Sequence, residues 1–240
     1  MKYNLKKKSK MNIVILTICY LFILISFSSC LRRSITIPSE NEITPSVSSS
    51  VLEKIKSSAK LTICYEKSLF AGKTIISIQD ILNLSSIDEN LLEDIAEIIS
   101  DGLKKYPNKS IEIDKCHSKR LQSYREKEKE DDIIIKVRTN GIYDCAEDSQ
   151  NLACRLVLFT SLRFFDTSIN KWLNKEKEYI SIYKSSIKMI KKPTEDFTKN
   201  HKAFTIFFEN LQKEIPISKE VEAFNKTLQK KVYSYFSDIN

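Results

Sequence analysis

Glycine is scarce in this sequence: 240 residues hold three, Gly72, Gly102 and Gly141. A phosphate-cradling loop needs backbone that a ligand can approach closely, and glycine clusters supply it, so such loops are excluded. Histidine is scarcer still, with His117 and His201 alone. No H-E-x-x-H helix, G-x-S-x-G elbow or C-x-x-C pair occurs, which removes the common signatures of zinc sites and serine hydrolases. No internal repeat of about twenty to fifty residues is visible. Cys116 and His117 are adjacent; in a strand they would point to opposite sides and could not readily form a nucleophile–base pair. Acidic residues do cluster, as Glu93/Asp94, Asp131/Asp132, and Asp144 with Glu147 and Asp148. Such carboxylates are ordinarily solvated surface, and the last trio lacks the spacing and glycine of a calcium loop. The sequence therefore predicts no catalytic residue, no metal ligand and no cofactor, and reads as a non-enzyme.

What is present lies first of all in residues 1–30, MKYNLKKKSKMNIVILTICYLFILISFSSC. Five lysines (Lys2, Lys6, Lys7, Lys8, Lys10) precede an apolar run from Ile13 to Phe27, and Ser28 and Ser29 lead into Cys30. This is the layout of a secretory signal: basic start, apolar centre, small-residue cleavage site. The apolar centre is about fifteen residues, short of the roughly twenty that span a bilayer. With a cysteine straight after the small residues, the stretch resembles a bacterial lipoprotein signal. Phe27 stands where that family usually has Leu, and the box resembles the looser spirochete form. The resemblance implies cleavage after Ser29 and acylation of Cys30, so membrane lipid is the first expected partner. Each buried methylene contributes about 0.8 kcal/mol, and two or three acyl chains hold firmly where one does not. Leu31 replaces the aspartate that retains many enterobacterial lipoproteins in the inner membrane, which favours an outer-membrane address.

Net charge is formally +8, but five of the 39 basic residues lie in the signal, leaving 34 against 31 acidic ones. So even a balance offers no phosphate-binding footprint, and nucleic acid is not an expected partner. Of six cysteines, Cys19 leaves with the signal and Cys30 takes the lipid. Cys64, Cys116, Cys145 and Cys154 remain, an even number that reads as two disulfides in an exported chain. Cys145 and Cys154 face each other across the polar loop AEDSQNLA, so they form the local pair, and Cys64 with Cys116 follows by elimination.

Residues 30–58 are rich in Ser and Pro with little periodicity and read as a tether, giving three segments: signal 1–29, tether 30–58, domain 59–240. Leu61, Ile63 and Tyr65 alternate with Thr62 and Cys64 as in a strand. A second β-rich piece is 73–79, and Ser86 with Glu89 has capping-box spacing before a helical stripe from Leu91 to Tyr106. A short strand IEID and a charge-dense stretch, 117–132, come next. From 133 the signal is β, over 133–139, 141–145 and 154–166, with a return over 171–186. Trp172 in the return reads as a sheet-face anchor. Two amphipathic helices, 195–213 and 218–237, close the chain around Pro216.

The order predicts a single α+β domain: a mainly antiparallel sheet with amphipathic helices packed on one face. The arrangement is similar to small periplasmic domains of envelope lipoproteins, a likeness of architecture without a shared motif. The expected function is a non-enzymatic binding or accessory lipoprotein of the cell envelope. Its partner would be another envelope protein, a lipid or a host molecule. Two alternatives stand beside it. One is an apolar-ligand carrier lined by Phe204, Phe207 and Phe208; the other is an envelope hydrolase whose site forms only in space.

Overall fold

The computed structural model describes residues 37–65, 91–115, 132–147, 150–192 and 201–237. In chain order its helices are α1 (Ser49–Ser57), α2 (Leu91–Leu103), α3 (His201–Glu214) and α4 (Ile217–Tyr235). The strands are β1 (Lys60–Tyr65), β2 (Ser110–Lys115), β3 (Asp132–Glu147), β4 (Asn151–Asp166), β5 (Lys171–Trp172), β6 (Glu178–Lys184) and β7 (Lys188–Lys191). They form one seven-stranded sheet in the order β2-β1-β3-β4, with β5, β6 and β7 pairing in succession along the outer edge of β4.

The α+β class expected from the sequence is the class observed. Its sheet is mixed: β1 runs parallel to both β2 and β3, while every pairing of β4 is antiparallel. Parallel neighbours need a long crossover, and α2 lies in the connection from β1 to β2. The predicted strands 133–139 and 141–145 are one strand, because Asn140 continues the ladder opposite Phe159. β7 has no counterpart in the sequence reading. The predicted strand at 73–79, the Ser86–Glu89 capping box, the charge-dense 117–131 and the first turns of the helix expected from 195 lie outside the described residues.

All four helices cover one face of the sheet. Alternate residues of β3 and β4 (Ile135, Val137, Leu156, Leu158, Leu162, Phe164) meet Ile95 and Ile99 of α2, Phe208 and Leu211 of α3, and Phe224 and Leu228 of α4 in one core. Period-two burial in strands and period-3.6 burial in helices make that core continuous. Gly102 lets α2 approach α4, since a Cβ there would lie 2.3 Å from Val232 Cγ1. Thr139 and Thr160 face each other within the core and share a hydrogen bond of 2.9 Å, so neither hydroxyl is left unmet. Two tyrosines clamp β6 to α4: Tyr183 donates to Glu220 and Tyr235 to Glu178. Burial, that hydrogen bond and the Glu220 charge push the Tyr183 hydroxyl up to about 12.

The segment expected to be tether is corrected over residues 37–58, which belong to the fold. Val47, Val51, Leu52 and Ile55 are buried in the main core. Ile43 forms a parallel bridge with Tyr179, Thr44 N–H donates to the Tyr179 carbonyl at 2.7 Å, and Val47 N–H to the Tyr235 carbonyl at 2.9 Å. The serines masked a helical face: Val47, Val51 and Ile55 recur at steps of four, the spacing of an amphipathic turn.

Candidate functional site

Two regions of the sheet carry the residues on which a function could rest: the tip of the β3–β4 hairpin and the sheet face opposite the helices. At the tip, Cys145 and Cys154 are directly opposed, with Cα atoms 4.1 Å apart, and are joined as a disulfide. Close approach is characteristic of a non-hydrogen-bonded antiparallel pair, which lets the two side chains meet on one face. Cys64 is also disulfide-bonded. Its partner lies outside the described residues, as do Cys116 and Cys30.

Beside the disulfide, Arg155 Nε and Nη2 both donate to Asp144 Oδ2, at 2.9 and 2.7 Å. The cross-strand register places these two residues opposite each other, so Asp144 is committed to an ion pair with its neighbour. Among the described residues no three His, Cys, Asp or Glu side chains come together as a metal site. Asp148, Asp131 and His117 lie outside the described residues. Glu93 and Asp94 sit in the first turn of α2, where acids favour the helix dipole and need no catalytic explanation.

Asp166 at the end of β4 was not singled out by sequence and is the most heavily engaged carboxylate among the described residues. Its Oδ1 accepts from Ser168 N–H at 2.9 Å, Ser168 Oγ at 2.6 Å and Ile169 N–H at 3.4 Å. Lys54 Nζ of α1 stands 3.1 Å from its Oδ2. Burial on its own would raise its pKa. The Ser168 and Lys54 hydrogen bonds, the Lys54 charge and the Ile169 N–H outweigh it and hold the carboxyl below its usual value. This is an Asx turn that also staples α1 to the hairpin, a structural use of charge.

The face opposite the helices is different in character. Ile134, Phe165 and Cys64 form a small buried cluster there, with Trp172 packed on it. The Trp172 ring meets Phe165 edge-on at 5.2 Å, as a sheet-face anchor should. Next along the same face Lys136 stands directly opposite Arg163, with Arg138 two residues further on β3. Like charges in facing positions oppose each other. The Arg163 guanidinium lies 4.0 Å over the Trp172 ring, where the ring quadrupole attracts it, and its buried Nε makes no hydrogen bond. Ile142, Val157 and Phe159 on this face are buried as well, and it brings together no nucleophile and base among the described residues.

Phe207 and Phe208, weighed as cavity-lining residues, are buried in the main core, and Phe208 meets Tyr143 edge-on at 6.1 Å. The side chain of Phe204 lies outside the described residues. Sequence reasoning missed the cations of this face because Lys136 and Arg163 occupy the polar places of an ordinary alternating pattern.

No family model matches this chain, and no curated protein matches it. Among solved structures it is similar to the PelC dodecamer from Paraburkholderia phytofirmans, with 6% identity and a TM-score of 0.32 over 76% of this chain and 90% of that one. A second is a neuraminyllactose-binding hemagglutinin homolog from Helicobacter pylori, with 13% identity and a TM-score of 0.28 over 82% of this chain and 99% of that one. A third is a hypothetical protein from Chlamydia trachomatis, with 11% identity and a TM-score of 0.24 over 70% and 98%. At TM-scores this low, none of these likenesses carries a function to this chain.

Proposed function

We propose that the protein is a non-enzymatic binding or accessory lipoprotein of the bacterial cell envelope, held to the outer membrane through acylated Cys30. The observation that carries this reading is the Cys145–Cys154 disulfide, together with the oxidised state of Cys64. Disulfides persist in oxidising compartments outside the cytosol, which is where a secretory signal over residues 1–29 would deliver the chain. Cys116 is the partner we assign to Cys64. Strand β1 sets Cys64 opposite Asp114, two residues before Cys116 in sequence.

Binding rather than turnover is supported by how the conspicuous acids are used. Asp144 pairs with Arg155, and Asp166 caps a turn and holds Lys54. The partner we infer is another envelope protein, a lipid or a host molecule. Metabolic labelling with palmitate, comparing the native chain with Cys30→Ala, tests the anchor. Label in the native chain alone is the expected result, and equal label in both would refute it. Protease treatment of intact cells then separates a surface address, with rapid loss of the domain, from a periplasmic one.

A further inference from the structure

With residues 37–58 part of the domain, the connection from Cys30 is short, which restricts the surfaces that an acylated Cys30 could hold against a membrane. Six residues, 31–36, separate Cys30 from Ile37. Even fully extended, that connection spans at most about 25 Å. The chain it joins is fixed at once to the outer edge of the sheet. Glu40 Oε1 lies 3.1 Å from Lys184 Nζ at the end of β6, and Ile43 bridges to Tyr179 at its beginning.

Immediately beyond Lys184 on the same edge is β7. Lys184 pairs with Val157 and Lys188 with Cys154, so the two strands follow each other along β4 with a gap of about 10 Å. Around β7 the sequence reads KSSIKMIKK, residues 184–192, and no acid occurs from Tyr179 to Thr194. Ile190 turns into the core at 4% exposure, whereas Ile187 and Met189 stand 60% and 53% exposed. Met189 pairs with Ala153 and Lys184 with Val157, positions on the sheet face away from the helices. Two large apolar side chains, two residues apart, thus share a corner with exposed Lys188 and Lys191. Among the described residues the other large exposed apolar side chains, Ile169, Ile206 and Tyr233, are spaced singly in the sequence, and single ones are normal on a soluble surface.

We infer that the β7 corner, with Ile187 and Met189 as apolar contacts and Lys188 and Lys191 as cations, rests on an anionic bilayer surface. The bilayer is the one that holds the lipid of Cys30. An apolar pair ringed by lysines is the composition of an interfacial binding surface, and lysines near anionic headgroups add an attraction that salt screens. The inference depends on acylation of Cys30, and its test separates the two.

The acylated full-length product is reconstituted into vesicles of brominated phosphatidylcholine, with and without phosphatidylglycerol, as Ile187→Trp and as Glu112→Trp. Glu112 lies on β2, at the opposite edge of the sheet, so both variants carry the same number of tryptophans. Expected is quenching about twofold greater for the Ile187 variant, increased further by phosphatidylglycerol, since interfacial apolar groups sit about 5–10 Å into the headgroup boundary. Equal quenching of the two variants, with acyl mass present on Cys30, overturns the orientation and leaves the anchor standing. Quenching indifferent to phosphatidylglycerol removes the role given to the lysines. Absence of acyl mass on Cys30 overturns the anchor and the orientation together.

Discussion

Replacing Ile55 by alanine tests whether the stretch before β1 is domain or tether. Ile55 lies on α1, is fully buried, and packs into the same core as the sheet. The change removes three carbon groups from that core, a transfer loss of about 2.4 kcal/mol at about 0.8 kcal/mol per group. A residual cavity adds to this, and isoleucine-to-alanine changes in cores cost about 2–5 kcal/mol in all. We expect a loss of about 3 kcal/mol. Ser50→Ala on the same helix is an exposed control and should change stability by less than about 0.5 kcal/mol. Urea denaturation followed by far-ultraviolet circular dichroism reads both, and the slope with denaturant should be unchanged. A loss below about 0.5 kcal/mol for Ile55→Ala would mean that α1 contributes nothing to the cooperative unit. Residues 37–58 would then lengthen the connection from Cys30 to the domain.

Asp166→Asn removes a carboxylate that accepts from Ser168 and Ile169 and faces Lys54; hydrogen bonds to a charged group predict a loss of about 2 kcal/mol at neutral pH. Because the folded carboxyl is held below its usual value, its contribution is present above about pH 4 and lost as pH falls through the lowered value. The difference between native chain and variant should therefore shrink in acid, and a difference constant with pH would contradict the assignment. Paired Cys145→Ser and Cys154→Ser changes should lower stability by about 2–3 kcal/mol in the chain-entropy account of so short a loop; denaturant midpoints unchanged from the oxidised native chain would argue against the staple. Gly102→Ala should destabilise by about 1 kcal/mol, as overpacking against Val232 exceeds the gain in helix propensity. Adding Val232→Ala should recover part of the loss through coupling, and strictly additive losses would count against the contact.

Elements whose periodicity is local were legible in the sequence. The stripe of α2, the long β3–β4 hairpin and the α4 heptad-like spacing all follow from residues a few positions apart. The Cys145–Cys154 pair was legible for the same reason, since a short polar loop between two strands fixes their register. α1 was hidden because serines surround its apolar positions and give the segment the composition of a linker. The parallel placement of β1 between β2 and β3 depends on residues about fifty to seventy positions apart, beyond any local pattern. The facing of Lys136 and Arg163 was invisible in the sequence, because only the strand register sets them opposite each other. Asp166 was not legible, because the Lys54 charge that holds it comes from α1, far away in the sequence.

Acylation of Cys30 is the central claim. Mass spectrometry of the N-terminal peptide from the protein purified out of its native membrane measures the claim directly. The predicted result is a chain that begins at Cys30 and carries two or three acyl groups. A chain that begins at Met1, or a Cys30 without acyl mass, would contradict it.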